Sequence, residues 1–460
     1  MSAVIQGARG TAAVLPLVAG KEERIVAWLS GRPVRQKEFL RHVAAVAAVA
    51  AQLPRAAAAV NLCEDRYHFL VTFAAVAVAG QTNLLPPSRA RQDVDEVMGA
   101  HPGCYAISDR VLDASPPRLW QLPALDALNL AADAPIPLMP GRQIVAIGYT
   151  SGSTGTPKPN AKTWAGFYAS SALNATLLRE HCADAPLNLV ATVPPQHMYG
   201  MEMSVLLPLL ADVAVDTGKP LMPADIAATL AALPAPRVLV TTPVHLRALV
   251  QSDIALPQLA GVVCATAPLC RELAAAAEAR FATRVIEVFG STETCVIAHR
   301  RSAEQESWQH YPGIHLRPQP DGTLVAADWF DAPVALQDIV ELLPGRLFRL
   351  RGRNSDLLEI AGKRASLADL TRRLLAIDGV VDGVIFQRDG DHCGVQRLAA
   401  LVVAPDLSEA AILSALRGAM DPAFLPRPLR KVDKLPRNET GKLPRAGLLA
   451  ALNTDKSVEE

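Results

Sequence analysis

The chain has 460 residues, 45 Lys plus Arg against 45 Asp plus Glu, and therefore no formal net charge. Such a length allows about two or three domains with a large buried core, and an apolar content of 50% excludes a disordered chain. Without a basic excess, a protein whose main task is gripping nucleic acid is excluded too, because neutralising phosphates needs one. A soluble enzyme or a large binding protein remains.

The opening sequence, MSAVIQGARG, lacks the basic, apolar, small-residue succession of a secretory leader. A helix is expected over Gln36–Gln52. The apolar runs at 43–60 and 69–80 are too short, or broken by Gln52, Pro54 and Arg55, for the roughly 20 residues of a bilayer span. Strand-like runs follow at Tyr67–Val76, Ile144–Tyr149 and Leu187–Val193, with a helix expected over Trp164–Arg179. Further strands are expected at Arg237–Thr241, Gly261–Ala265 and Arg284–Phe289, each trailed by helix or turn signals. This alternation predicts parallel sheets built from βαβ units.

After Gly290 the texture changes. Ile314–Asp328 and Asp338–Arg351 read as strands and turns, with Asp321-Gly322 as a hairpin turn. Beyond a boundary near 352–356, Leu367–Leu375 is an amphipathic helix capped by Ser366, with Asp369 at the third helical position. Strands at Gly379–Gln387 and Leu398–Val403 and a helix at Ser408–Met420 complete a small α+β region. The reading is an α/β protein with a large N-terminal domain over 1–352 and a small one over 353–460. Seven cysteines (63, 104, 182, 264, 270, 295 and 393) are scattered with no CxxC pair, so most are expected to be small buried residues in a reducing cytoplasm.

The most informative stretch is Tyr149-Thr-Ser-Gly-Ser-Thr-Gly-Thr-Pro-Lys158, directly after an expected strand. Glycines let backbone N–H groups approach a phosphate, hydroxyls donate further hydrogen bonds and a lysine supplies charge. A polar surface turn would have the same composition, and the spacing is not that of a Walker A loop. Phe289-Gly-Ser-Thr-Glu293 also ends a strand; a flat ring offers a stacking face, and a carboxylate suits a hard cation bridging phosphate oxygens. Between them lies Pro195-Gln-His-Met-Tyr-Gly200.

Together these runs resemble the adenylate-forming superfamily of AMP-dependent acyl- and aryl-acid ligases, from Phe69 to Arg445 and in the family's order. The first run matches its phosphate loop at every fixed position up to Lys158, with Pro159 where the family has glycine. Proline removes an N–H and biases Lys158 towards an extended conformation. The resemblance implies a small distorted β-barrel region in the large domain and a mobile C-terminal domain. It makes Thr150, Ser151, Gly152, Ser153, Gly155 and Lys158 nucleotide contacts, with Thr154 catalytic. Phe289, Gly290, Ser291 and Thr292 would meet adenine and the α-phosphate, and Glu293 would hold Mg²⁺. His197 would wall the carboxylate pocket with Tyr199, Val244, Thr266 and Gly290.

Asp338, in Leu336-Gln-Asp-Ile-Val340, aligns with the aspartate that accepts from the ribose hydroxyls, although Leu-Gln replaces the usual Thr-Gly. Gly352-Arg-Asn-Ser-Asp356 resembles the interdomain hinge, with Arg353 toward ribose or phosphate and Ser355–Asp356 as the pivot. Gly362 would line the thiol's route. Leu435-Pro-Arg-Asn-Glu-Thr-Gly-Lys442 resembles the C-terminal catalytic segment, Asn438 replacing threonine and Lys442 being the cation between carboxylate and α-phosphate.

The implied reaction uses ATP and Mg²⁺ to convert a small carboxylic acid into an acyl-adenylate. The acyl group then moves to the thiol of CoA or of carrier-protein phosphopantetheine. No acidic residue stands out to read an α-amino group, so an aryl acid such as a hydroxybenzoate is expected, as in the divergent ligases of bacterial aryl-polyene (xanthomonadin-type) pathways. A medium- or long-chain fatty acid is the alternative, and a non-catalytic nucleotide-binding relative and a P-loop-type NTPase stay open. The protein would act in the cytoplasm, as a monomer or homodimer, with an acyl carrier protein as its candidate partner.

Overall fold

Apolar, β-branched Ile144–Thr150 occupies an inner position in a six-stranded sheet. The spatial order is Lys158–Thr163, Ile144–Thr150, Thr82–Leu85, Ala58–Asn61, Tyr105–Ser108, Leu119–Gln121. Neighbours run parallel except at one edge, where Lys158–Thr163 returns antiparallel to Ile144–Thr150. The computed structural model describes residues 13–53, 57–112, 115–128, 130–150, 158–353, 357–360, 363–388, 398–420, 422–438 and 441–453. They form two compact units: Met1–Ile314 with Ala326–Ala332, and His315–Val325 with Pro333–Glu460.

The first unit carries a second sheet, ordered Trp308–His310, Cys295–Arg300, Val285–Ser291, Gly261–Cys264, Arg237–Thr241, Leu187–Ala191, Val213–Asp216, Ile25–Leu29, Arg32–Arg35. From Val285–Ser291 to Ile25–Leu29 every pair is parallel. Gly261–Cys264 and Leu187–Ala191 are buried along their whole length, which is why they read as continuous apolar runs and not as alternating ones. One expectation fails here. Tyr67–Val76 is not a strand but lies in the helix Arg66–Val78, packed against the helix Gln36–Ala50 and the strands Ala58–Asn61 and Thr82–Leu85. A helix buried almost all round loses its amphipathic stripe and looks like a buried strand. The deciding signal was local: Asp65 caps the helix, its carboxylate accepting the His68 N–H at 2.9 Å.

Gly322–Ala327 pairs with Ile314–Gln319 and Val334–Leu336, with Asp321-Gly322 at the expected turn, and in the second unit Asp338–Leu343 pairs with Leu347–Arg353. Leu357–Ile360 pairs with Lys363–Ser366. Further on, Leu398–Val403 is the central strand between Asp382–Gln387 and Leu429–Lys431. Its alternation serves two cores. Leu398, Ala400 and Val402 pack with Leu370, Leu374, Ile412 and Leu416, while Ala399 and Leu401 pack with Leu435, Leu448 and Leu452. The helices Leu367–Leu375, Glu409–Ala419 and Arg445–Asn453 cover these faces, Ser408 capping the second through the Ala411 N–H. Among the described residues, no helix is long and apolar enough to cross a membrane.

Candidate active site

Thr150 and Lys158 face one another across the antiparallel edge pair. Ser151, Gly152, Ser153, Thr154 and Gly155 lie outside the described residues. Lys158 is exposed and extended, as the proline after it predicts. Pro159 pairs with Tyr149 on the outermost strand, where a missing N–H interrupts no central ladder. The Pro159→Gly variant is therefore expected to keep the wild-type rate of pyrophosphate release within about twofold, the scale of a surface substitution. A several-fold gain would instead show that proline restrains the loop. Tyr149 is buried and its phenol bonds to His101 Nε2, which anchors the strand end.

In the second sheet the parallel strands Leu187–Ala191, Arg237–Thr241, Gly261–Cys264 and Val285–Ser291 end along one edge, the place where open α/β sheets take ligands. After the first of these strands, extended His197 (φ −73°, ψ 138°) starts the short helix Met198–Met201. Gly200 is required there, because a Cβ would stand 2.0 Å from the Pro194 carbonyl oxygen. Tyr199 is buried, its hydroxyl donating to the Val263 carbonyl at 2.9 Å, and burial pushes its pKa well above 10. The phenol is thus a neutral strut between strands. Val244 is exposed on the first turn of Pro243–Gln251. Thr266 holds φ +83°, a conformation costly for a β-branched residue and typical of ligand-facing loops.

The fourth strand carries Phe289, Gly290 and Ser291 into a turn with Thr292 and Glu293. Ser291 and Thr294 close it: each side-chain oxygen accepts the other's N–H at 3.2 Å. The Phe289 ring lies 5.3 Å from that of Trp308. Gly148 joins the two sheets, since a Cβ there would sit 2.8 Å from Thr292 Cγ2 and 3.1 Å from Met198 Cε. The end of the strand Ile144–Thr150, the helix begun by His197 and the Thr292–Glu293 turn therefore meet at one point.

Three ionisable residues at this meeting point escaped the sequence reading. Lys162 reaches from the edge strand and donates to the Glu293 carbonyl at 2.5 Å. Glu202 lies buried behind the turn. Buried Glu287 accepts the Leu269 N–H at 3.0 Å, the Ser302 hydroxyl at 2.6 Å and Arg300 Nε at 2.6 Å, fixing the 265–269 segment to its strand. For Glu202 and Glu287 a charge inside an apolar run was the available signal, because such residues are buried only when paired. Among the described residues, no three His, Cys, Asp or Glu side chains gather as a metal cage. A single carboxylate at Glu293 beside Thr292 still fits Mg²⁺, which takes one or two carboxylates and completes its shell with water and substrate phosphates.

The second unit holds the remaining candidates. Asp338 is buried, its backbone carbonyl accepts the Thr323 hydroxyl at 2.6 Å, and strand register sets it opposite Arg353. Ser355, Asp356 and Gly362 lie outside the described residues. Lys442 is exposed and held by Asn438: the Lys442 N–H donates to Asn438 Oδ1 at 2.9 Å and the Asn438 N–H donates to the Lys442 carbonyl at 2.8 Å. Arg437, bidentate to Asp382 at 2.9 Å, also donates to the Gly441 carbonyl at 3.0 Å.

Comparison with known proteins follows the same outline. Residues 39–324 match the family model described as AMP-binding enzyme. A 4-coumarate–CoA ligase from Halorhodospira halophila is 30% identical over 308 residues, covering 64% of this chain and 73% of its own. A medium/long-chain-fatty-acid–[acyl-carrier-protein] ligase from Mycobacterium tuberculosis is 25% identical over 134 residues, 28% of this chain and 25% of its own. The fold is that of o-succinylbenzoate coenzyme A synthetase from Bacillus subtilis, solved with ATP and magnesium: TM-score 0.79, 16% identity, 94% of this chain and 99% of the other.

Proposed function

Because the chain belongs to the AMP-binding enzyme family, we propose that it activates an aryl acid, such as a hydroxybenzoate, as an acyl-adenylate and passes the acyl group to a thiol. Relatives named as a 4-coumarate–CoA ligase and a fatty-acid–[acyl-carrier-protein] ligase support ligation of an acid to a thiol. The convergence of Gly148, Met198 and Thr292 carries the finer reading, because it supports one site for phosphate and carboxylate. An aryl acid is favoured by the aromatic and aliphatic side chains of Tyr199 and Val244 and by the relative named for 4-coumarate. The fatty-acid relative favours a second reading, an aliphatic chain loaded onto a carrier protein, and leaves phosphopantetheine beside CoA as acceptor.

In the first half-reaction a carboxylate oxygen attacks the α-phosphorus of ATP, the bond to the bridging oxygen of the β-phosphate breaks, and pyrophosphate leaves. As the resemblance implies, Thr150, Ser151, Gly152, Ser153, Thr154, Gly155 and Lys158 would contact the phosphates together with Ser291 and Thr292. His197 would wall the carboxylate, and Lys442 would supply the cation for the two anions. Phe289 and Gly290 would meet adenine, Asp338 would accept from the ribose hydroxyls and Arg353 would add positive charge. Glu293 would hold Mg²⁺, which when bound neutralises developing charge on the phosphates. In the second half-reaction, as the resemblance implies, the 353–460 domain would turn about Ser355–Asp356, withdrawing Lys442 and bringing Gly362 to the thiol's path. Sulfur bonds to the acyl carbon, AMP leaves with the electron pair, and the thiol proton passes to solvent. Positioning and electrostatics supply the catalysis, without a covalent nucleophile.

A pyrophosphate-release screen over aryl and fatty acids, with CoA and carrier protein as competing acceptors, tests this. Release dependent on an aryl acid is expected; release with fatty acids alone, or with no acid, overturns it. Glu293→Ala should raise the Mg²⁺ concentration needed for half-maximal rate by about tenfold or more, the scale of a lost metal contact. An unchanged Mg²⁺ titration would remove Glu293 from that role.

A further inference from the structure

Directly after Gly200 the backbone widens into a π-helical turn, Glu202–Leu206, a feature concentrated at functional sites. Its first residue, Glu202, is 1% exposed. Every described partner of its carboxylate is a donor. The Ser170 hydroxyl donates to it, Asn174 Nδ2 donates at 3.1 Å, and the Val296 N–H reaches Oε2 at 2.9 Å. The last contact has a cause in the sheet. Register jumps between Phe289 and Gly290, which pairs Phe289 with Ala298 and Gly290 with Val296, so Ile297 bulges. Bulging disrupts the ladder beside Val296, and Glu202 accepts the N–H there. The carboxylate thus fastens the root of the hairpin whose tip is Ser291–Thr294.

Lys162 fastens the tip. Buried to 9% exposure, it donates to the Glu293 carbonyl, and its charge also favours the ionised form of Glu202. The other titratable groups facing Glu202 are Cys295 on the hairpin and Tyr311 beyond it, whose hydroxyl donates to Asn174 Oδ1 at 2.8 Å. Burial keeps both neutral near pH 7, pushing the thiol up to about 12 and the phenol well above 10. From the helix Trp164–His181 only the neutral Ser170 and Asn174 are described as contacts.

We propose that Glu202 and Lys162 are a positioning pair for the triphosphate: they hold the Thr292–Glu293 turn in its nucleotide-binding shape without touching the nucleotide. This rests on the reading of Thr292 and Glu293 given above. Burial pushes the Glu202 carboxyl up to about 7 against its donors and Lys162, so its charge changes near neutrality. As pH falls through 7 the protonated carboxyl gives up an acceptor and its attraction for Lys162, and nucleotide affinity should fall with it.

The test is the dissociation constant of Mg²⁺–ATP, by calorimetry from pH 6 to 8.5, for the wild type, Glu202→Gln and Lys162→Met. Gln keeps the shape but turns an amide donor toward existing donors. Each variant should bind Mg²⁺–ATP at least tenfold more weakly at pH 8, with adenosine binding within about twofold of wild type. The extra weakening of the wild type below pH 7 should vanish in Glu202→Gln. Lys162→Met carries the test if Glu202→Gln does not fold. Wild-type affinity in the folded variants, or equal losses for ATP and adenosine, overturns the pair. A wild type that binds no ATP overturns the proposed function itself.

Discussion

Replacing Lys442 by alanine should slow acid-dependent pyrophosphate release by about 10²- to 10³-fold, the loss typical when a placed charge or donor is removed from a developing anion. The carboxylate and the α-phosphate are both anionic, so their approach is the step that needs a cation most. Thioester formation from supplied acyl-adenylate should stay within a few-fold of wild type, because by then the two anions are already joined. Lys442 is exposed and held by Asn438 through its backbone. The side-chain deletion therefore removes charge without dismantling the turn. Equal loss in both half-reactions would contradict a lysine that serves only the first.

Among the described glycines of the first unit, Gly200→Ala should be one of the most damaging additions of a single methyl group. With a Cβ 2.0 Å from the Pro194 carbonyl oxygen, either that carbonyl or the helix begun by His197 must move. Overpacking against backbone costs about 1–3 kcal/mol, which a denaturant midpoint will register. The larger effect should be on rate. Moving the His197 helix also moves Met198, which touches the Gly148 junction, and misplacement of about 1 Å can cost 10²-fold. A variant with wild-type midpoint and wild-type kcat/KM for the acid would show that the Pro194–Gly200 turn is not rigid.

Much of this architecture was legible in the sequence wherever local chemistry and long-range packing agree. Ile144–Tyr149, Arg237–Thr241 and Leu398–Val403 read as strands because their side-chain pattern suits the faces they bury. Arg66–Val78 was misread because burial on every side erases periodicity, leaving Asp65 as its one clear mark. At the site, Gly200 and Gly290 could be recognised within motifs, but Lys162, Glu202 and Glu287 could not. Their meaning comes from which backbone groups the sheets leave without a ladder partner, and that is decided by register. Pro159 was another case: as a residue it signals disruption, and as part of the outermost strand it is tolerated.

The most direct test of the central claim is oxygen transfer. With an acid labelled by ¹⁸O in both carboxylate oxygens, chosen by the pyrophosphate screen, the AMP released on thioester formation is examined by mass spectrometry. Attack of carboxylate on the α-phosphorus predicts one ¹⁸O atom in each AMP and the other in the thioester. AMP free of label would contradict the acyl-adenylate and with it this account of the site.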